Sequence, residues 1–450
     1  MSTSPTDSRA GLVSSATLTL ATRVAAFGFS LATNVILART LGPEGRGIYA
    51  VAVLIPALIS LFSQLGLQQA NIYHYSKGLI DADELLGHAT SLALLLGGTG
   101  FVGICLYVGF DRSAQFAGID ARYVLVSCAS LPFLLLTVFL QGILNGAQLF
   151  RQFNLVLFTQ YAAPTPALAF AVLAYRGSAL AAVVAWTLAT IVTAAVAIHG
   201  AAPLGRLWPR LSVASLRRLL RFGLVGYLTS LTSFVNYRFD ILLVNFFAGT
   251  RQVGLYAVGT GLAEVVWYLA NAAGIVLAPK VASSDPKLAD RMTEAVCRVV
   301  GALAFASALV LAALAPFAVV LFFGPAFEES AWAVWLLLPG IVTFSVARVL
   351  SMYLLGRGRL KIDLLASACG LVVTLVLDLL LIPSLGFRGA AIASSVAYTC
   401  VMIVDLVWVT RSSTITLKRL LIPQPEDARL MWARLREARS SVRRRTVSGA

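Results

Sequence analysis

The chain has 450 residues, of which 59% are hydrophobic and 12% are charged, and its formal net charge is +15. A soluble domain carries about 25% charged residues, so the composition excludes a soluble globular protein. The basic residues lie in short connections between apolar segments, where they set the orientation of a membrane protein rather than bind nucleic acid. We therefore expect a polytopic membrane protein with no nucleic-acid partner.

Apolar segments long enough to cross a bilayer, about 20 residues each, follow one another along the chain. They are continuous and do not alternate with polar residues, which favours helices over a β-barrel. The segments predict about twelve transmembrane helices, at residues 16–38, 48–70, 87–110, 122–146, 153–175, 178–199, 221–247, 254–278, 296–323, 329–356, 362–384 and 389–410.

Most of the 35 Lys and Arg residues fall in the connections on the same side as the N-terminus. The positive-inside rule then places both termini in the cytoplasm. The expected organisation is a cytoplasmic N-terminal tail (1–15), an N-lobe of six spans (16–200), a basic cytoplasmic linker (201–220), a C-lobe of six spans (221–410) and a basic cytoplasmic tail (411–450).

Two internal similarities, each about 210 residues apart, suggest duplication of a six-span unit. "RTLGPEGRGIYAV" (39–51) resembles "FFAGTRQVGLYAV" (246–258), and "RGSALAAVVAWT" (176–187) resembles "RGAAIASSVAYT" (388–399). Six spans is an even number, so both copies would have the same orientation, as in parallel-repeat transporters whose substrate site lies between the repeats. The alternative is chance similarity between Ala- and Gly-rich spans.

No nucleotide, metal or catalytic motif stands out. "GTGFVG" (98–103) fits G-x-G-x-x-G, and Asp120 follows at about the spacing of a dinucleotide fingerprint, but the match lies inside an apolar segment with no preceding strand. Small residues there are typical of close helix packing. The five Cys and three His residues show no ligand spacing, so we expect no metal and no cofactor.

Polar and cationic residues inside the spans predict a central cavity. A charge at mid-bilayer costs about 2.5–3.5 kcal/mol on insertion scales, so it usually faces a wet cavity or a partner. Arginines without matching carboxylates suit an anionic cargo, since guanidinium binds phosphate oxygens bidentately. The candidates are Arg23 and Asn34 in span 1, Asn236, Tyr237 and Arg238 in span 7, and Arg348 in span 10.

Acidic residues inside the spans are candidates for ion coupling. Asp240 and Glu264 could bind H⁺ or Na⁺, because a carboxylate in a low-dielectric site titrates or pairs with a cation. The alternative is a set of structural ion pairs within one bundle, which we favour for Asp378 and Asp405 near span ends. At the C-terminus, a basic segment with Trp432 could bind anionic lipids or be a disordered tail.

Several stretches together resemble the polysaccharide transporter family, the O-antigen and exopolysaccharide flippases of the multidrug/oligosaccharidyl-lipid/polysaccharide exporter superfamily. These stretches are "LATNVILARTLGPEGRGIYA", "LQGILNGAQLFRQFN", "NYRFDILLVNFFAG" and "LDLLLIPSLGFRGAAIASSVAY", and the resemblance spans residues 12–410. It implies a flippase in the bacterial cytoplasmic membrane that moves a polyprenyl-diphosphate-linked oligosaccharide from the inner to the outer leaflet. It also implies alternating access of two lobes and cavity roles for Arg23, Arg39 and Arg238.

Other functions stay open at this stage. A multidrug or other small-molecule exporter would have the same architecture, and so would a lipid II-type flippase, although those usually have more spans. A membrane enzyme such as a ligase or polymerase would need larger outer loops. Polysaccharide polymerase and glycosyltransferases are candidate partners of a flippase, and the basic tail could recruit them.

Overall fold

The computed structural model describes residues 5–110, 115–116, 119–174, 178–267, 270, 273–274, 277 and 281–421. Within these residues the chain is almost entirely helical. Its one small sheet is antiparallel and pairs β1 (Gln115–Phe116) with β2 (Ile119–Asp120). The all-α fold class is therefore confirmed.

Glycines separate the first helices of the chain. Gly42 breaks α1 with a φ of 64° and a ψ of −178°, and Gly66, at a φ of 73°, separates α1 from α2. Both are left-handed backbone positions that favour glycine. The helices of this half are α1 (Pro5–Gln64), α2 (Leu67–Ser76), α3 (Ala82–Phe110), α4 (Ala121–Cys128), α5 (Leu131–Gly146), α6 (Phe150–Ala162), α7 (Pro164–Ala174) and α8 (Ala179–Ala201).

The second half begins after a 3₁₀ turn, Ala202–Leu204, and an extended linker. Ser212 starts its first helix by accepting a hydrogen bond from the backbone N–H of Ser215, as an N-cap does. The helices are α9 (Val213–Ala248), α10 (Thr250–Ala263), α11 (Pro286–Phe323), α12 (Ser330–Gly356), α13 (Leu360–Leu385), α14 (Phe387–Ser412) and α15 (Leu417–Leu421).

In the described part of the chain, 8 helical stretches are long and apolar enough to cross a membrane. The first of them, Ala21–Gln64, contains the first two predicted spans because the chain turns at Gly42. Three further predicted spans overlap with α6 and α7, with α9, and with α10. The pair α6 and α7 is interrupted, α9 carries more charge, and α10 is shorter. The described residues of the expected spans are therefore mostly helical, with short turns at 65–66, 129–130 and 163.

The chain forms two compact units. The first comprises Met1–Gly261, Pro316–Ala333 and Leu377–Ala390, and the second comprises Leu262–Ala315, Val334–Val376 and Ala391–Ala450. The first unit contains the whole predicted N-lobe and linker, and it also takes α9, most of α10, and one end each of α11, α12, α13 and α14. The predicted boundary between the lobes, at residues 201–220, stays a prediction.

Large apolar side chains are exposed along α11. Phe305, Leu309 and Phe317 are 57%, 57% and 66% exposed. A soluble protein rarely leaves so continuous an apolar face in water. The exposure is what a lipid-facing helix requires, because lipid solvates such side chains.

The GTGFVG segment (98–103) lies in the middle of α3. Only its Gly100 has close neighbours, since a Cβ there would lie 3.3 Å from Ile59, whereas Gly98 and Gly103 have nothing within 4 Å. Asp120 is the N-cap of α4, and hydrogen bonds from Arg122 hold the pKa of its carboxyl below the usual value. The packing interpretation of the segment therefore holds for Gly100 alone, and the Asp120 carboxylate is occupied by its cap.

The two similar turns at residues 39–51 and 246–258 pack directly on each other. A Cβ on Gly47 would lie 1.7 Å from the carbonyl oxygen of Thr250, and a Cβ on Gly254 would lie 1.8 Å from that of Pro43. The four residues are equivalent in pairs in the internal similarity. The contact is thus approximately twofold symmetric, which supports duplication, and only glycine permits the backbones to approach this closely.

Gly254→Ala is expected to destabilise the protein, because its Cβ would overlap the Pro43 carbonyl. Overpacking of this kind typically costs about 1–3 kcal/mol. Gly261→Ala on the same helix is the matched control, since nothing lies within 4 Å of that position. The measurement is the apparent melting temperature of the purified protein in detergent. Equal melting temperatures for the two variants would show that the turns are not in contact.

Candidate functional site

Arg46 is a buried cation at the start of the helix that follows the break at Gly42. Its side chain is 7% exposed, and one guanidinium nitrogen donates to Asn34 Oδ1 at 2.7 Å. The guanidinium also lies over the ring of Tyr49, 5.6 Å from its centre. Its Nε–H is buried and has no hydrogen-bond partner in the described structure. Arg46 therefore retains an unused donor that could bind an anion.

The geometry of α1 fixes the partner of Arg46. The Asn34 amide nitrogen donates to the carbonyl oxygen of Ser30 at 2.9 Å, which leaves the amide oxygen free to accept from Arg46 across the turn. The tight break at Gly42 brings these two residues, twelve positions apart in sequence, into contact. The predicted site residue Asn34 thus positions a cation that lies between the first two predicted spans.

Arg238 on α9 adds a second positive charge to this cluster. It repels the guanidinium of Arg46 electrostatically, so the two like charges are close in the same unit. Its neighbours Asn236 and Tyr237 lie beside it on α9, and Asn236 is 2% exposed. Two neighbouring guanidinium groups would be stabilised by an anionic ligand between them.

Two buried carboxyl groups lie near each other in the same unit. Asp240 accepts a 2.5 Å hydrogen bond from the hydroxyl of Tyr256. Asp378 on α13 is fully buried, and neither of its carboxyl oxygens has a hydrogen-bond partner in the described structure. The two carboxyl groups repel each other electrostatically. Such a pair favours binding of a proton or a small cation.

The structural ion pairs favoured from the sequence for Asp378 and Asp405 are wrong for the described residues. The oxygens of both carboxyl groups are buried without hydrogen-bond partners there. The charged group that acts on Asp405 is Asp363, another carboxylate. Their position near span ends suggested accessible partners, but both side chains point into packed helices.

Arg39 lies just before the break at Gly42, and its side chain binds the C-terminal end of α11. Its guanidinium donates to the carbonyl oxygens of Leu321 and Phe322, in the latter case at 2.9 Å. These carbonyls belong to the last turn of α11, where a cation complements the helix dipole. Arg39 is therefore a link between the turn after the first span and the C-terminus of α11.

The other predicted residues are Arg23 in the first unit and Arg348 and Glu264 in the second unit. Arg23 is exposed on α1, and the helical rise places it about 16 Å along the axis from Asn34. Arg348 belongs to the second unit, where its guanidinium lies 5.9 Å from the ring centre of Phe344. Phe344 in turn packs against Trp267 and Tyr398. Glu264 begins a 3₁₀ turn in that unit.

The described residues contain no group of three or more His, Cys, Asp or Glu side chains arranged to hold a metal ion. The candidate site in the first unit therefore consists of two groups of polar side chains. One is the cluster of Asn34, Arg46 and Arg238, and the other is the carboxyl pair Asp240 and Asp378. Sequence reasoning missed Arg46 and misjudged Asp378. The spacing of Arg46 from Gly42, one helical turn, is the signal that places it inside a helix.

Solved structures with the same fold are membrane transporters. The chain is similar to the lipid II flippase MurJ in an inward closed conformation (14% identity, 90% of this chain and 89% of that chain, TM-score 0.75). It is also similar to an inward-facing multidrug resistance MATE family transporter of the MOP superfamily (17% identity, 85% and 93%, TM-score 0.70). A MOP superfamily transporter from Pyrococcus furiosus aligns at 18% identity over 88% and 92%, with a TM-score of 0.60.

These likenesses show that the chain has the fold of these solved membrane proteins. Residues 36–332 match the polysaccharide biosynthesis protein family. The chain therefore belongs to that family, and the expected resemblance is confirmed. No curated protein matches the sequence significantly.

Proposed function

We propose that the protein is a flippase that moves a polyprenyl-diphosphate-linked oligosaccharide from the inner to the outer leaflet of the bacterial cytoplasmic membrane. The observation that carries the proposal is the buried guanidinium of Arg46 with an unused Nε–H beside Arg238. Membership of the polysaccharide biosynthesis family supports a glycan as the cargo. The flippase fold supports translocation as the task.

A diphosphate fits this cluster for electrostatic reasons. The positive charge of Arg238 acts on the buried guanidinium of Arg46, and an anion bound at Arg46 would offset that effect. Guanidinium groups bind phosphate oxygens bidentately with good geometry. The lipid tail of the cargo can stay in the bilayer, so the protein has to lower the cost of moving only the charged and sugar groups.

The same proposal includes an orientation of the chain in the membrane and a role for the contact between the two turns in alternating access. Both termini are cytoplasmic, since most of the basic connections lie on that side. The packed turns at Gly47 and Gly254, with the Arg39 link to α11, then lie at the outer surface. Alternating access requires this contact to open and re-form, so Gly254→Ala should impair export in cells and Gly261→Ala should not.

The carboxyl groups are proposed to couple transport to an ion. Asp240 and Asp378 repel each other in the first unit, and Glu264 is the separate candidate of the second unit. Binding of H⁺ or Na⁺ between two carboxylates would relieve their repulsion.

Two kinds of partner are proposed: enzymes that act on the glycan, and lipids that bind the basic tail. Polysaccharide polymerase and glycosyltransferases would consume and supply the lipid-linked glycan. Anionic lipids are proposed to bind the basic tail, whose residues 422–450 lie outside the described residues. Deleting the tail and measuring export would separate a recruiting role from transport: unchanged export would remove the tail from the mechanism.

A multidrug exporter is the second candidate function, because the fold is shared with a multidrug resistance transporter. A gene deletion distinguishes the two. Increased drug susceptibility with normal surface polysaccharide would favour the exporter, whereas lost polysaccharide with unchanged susceptibility would favour the flippase.

Arg46→Gln and Arg238→Gln are each expected to lower surface-polysaccharide export by about tenfold or more, since a hydrogen bond to a charged group contributes about 1.5–3 kcal/mol. Arg23→Ala is expected to reduce export as well. Arg122→Gln is the control, because Arg122 is exposed and pairs only locally with Asp120. Polymer is measured on the cell surface and protein in the membrane fraction. Normal polymer with either Gln variant present at wild-type level would contradict the cavity assignment.

Asp240→Asn and Asp378→Asn are expected to abolish the response of the purified protein to its coupling ion. The measurement is intrinsic Trp fluorescence during titration with Na⁺ and with pH. Asp285→Asn, at an exposed position, serves as the control. If both variants respond like the wild type and Glu264→Gln does not, coupling would lie at Glu264 instead.

A further inference from the structure

The linker between α8 and α9 is fixed along the first turns of α3 in the first unit. Asp83 Oδ1 accepts a hydrogen bond from the backbone N–H of Arg206 at 2.6 Å. Arg210 donates its backbone N–H to the carbonyl oxygen of Gly87 at 3.3 Å, and its own carbonyl oxygen accepts from the Ser91 hydroxyl at 3.1 Å. Both arginines are thus held through their backbone atoms, and both residues are exposed.

The apolar residues of this segment divide between the core and the surface. Leu204 and Leu207 pack against the buried core of the first unit. Trp208, Leu211 and, at the start of α9, Val213 are instead 72%, 51% and 75% exposed. An indole ring exposed to this extent is unfavourable in water but typical of the membrane–water interface.

The first turns of α9 show the same division. Leu216 and Leu219 pack on the same core. Arg217, Arg218 and Arg221 are exposed, and Arg221 lies three and four positions from the other two, on the same helix face. Residues 206–221 therefore contain five exposed arginines, and no acidic residue occurs among them.

The acidic residues that contact this segment from α3 do not neutralise its arginines. Asp83 binds a backbone N–H, and Glu84 interacts with the side chains of Ser212 and Ser215. None of the salt bridges in the described part of the chain involves a guanidinium group of residues 206–221. These positive charges are therefore available to an external anion.

The position of the segment in the chain places it at a membrane surface. The helical stretch before it, Ala179–Leu204, is long and apolar enough to cross a bilayer, and a further span is predicted in α9. A linker between two spans lies where the helices leave the hydrocarbon, at the depth of the lipid headgroups. At that depth tryptophan rings sit at the interface and guanidinium groups bind phosphate oxygens.

We propose that residues 206–221 form a binding surface for anionic phospholipids, whose phosphates contact the exposed arginines beside the ring of Trp208. The hydrogen bonds to α3 fix the linker in place, so its charge attracts anionic headgroups in preference to zwitterionic ones at one defined position. The inference does not depend on the proposed cargo, and the surface is distinct from the basic tail. In the proposed orientation its ligand is a lipid of the cytoplasmic leaflet, such as phosphatidylglycerol.

The test measures quenching of Trp208 fluorescence by brominated lipids, with the full-length protein in phosphatidylcholine nanodiscs. The Trp208 signal is the difference between each protein and its Trp208→Phe counterpart. Brominated phosphatidylglycerol should quench this signal at about tenfold lower content than brominated phosphatidylcholine, because each arginine near the surface attracts anionic lipid. Arg206→Gln combined with Arg210→Gln should remove most of this preference, and glutamine keeps the backbone contacts with α3.

Arg359→Gln combined with Lys361→Gln is the matched control, because it removes the same charge from exposed positions of the second unit. This control should keep the preference. Equal quenching by the two lipids in the wild type would overturn the inference. A preference that survives in the variant of Arg206 and Arg210, or that the control loses equally, would also overturn it, since the attraction would then come from net charge.

The remaining outcome concerns a different occupant. If neither lipid quenches Trp208 in the wild type, this face lies in water, where a protein partner could cover it, and the lipid surface is overturned. The basic tail is present in every variant, so its contribution cancels. Each of these results leaves the proposed diphosphate site unaffected, because no residue of that site is changed.

Discussion

The burial of the Arg46 guanidinium is the constraint on which the rest of the site depends. A cation removed from water is costly unless polar groups surround it, and here the Asn34 amide oxygen and the Tyr49 ring do so. Both partners are within reach only because the chain reverses at Gly42. The nearby charge of Arg238 makes the arrangement less favourable without a ligand and more favourable with an anion. The geometry of one glycine turn therefore determines the proposed anion site.

The same turn joins this site to the symmetry of the fold. Its backbone packs against the equivalent turn at Thr250 and Gly254, and its Arg39 binds the end of α11. A change in the contact between the turns would move α1 on both sides of Gly42, and with it Asn34 and Arg46. The contact and the proposed anion site are thus connected through a short segment, which the proposed alternating access would use. The carboxyl groups of Asp240 on α9 and Asp378 on α13 lie in the same unit. Binding of an ion to them could therefore influence the Arg46 site.

Local patterns in the sequence predicted the helical spans and the resemblance to polysaccharide transporters, and they selected Asn34, which contacts Arg46 in the structure. They could not predict interactions that depend on tight turns or distant helices. The predicted span bounds place Arg46 in the connection between the first two spans, whereas a single left-handed glycine makes the turn and leaves Arg46 inside a helix. The acceptor of Arg39 and the neighbour of Asp378 lie on helices far away in sequence.

Reconstitution tests the central claim most directly. Proteoliposomes containing a fluorescent polyprenyl-diphosphate oligosaccharide are treated with a membrane-impermeant quencher, and the rate at which label reaches the outer leaflet is measured. The wild type should expose the labelled lipid faster than protein-free liposomes, and Arg46→Gln should match the protein-free rate. Equal rates for the wild type and Arg46→Gln, or equally fast movement of a phospholipid with a neutral head group, would contradict an arginine-based diphosphate flippase.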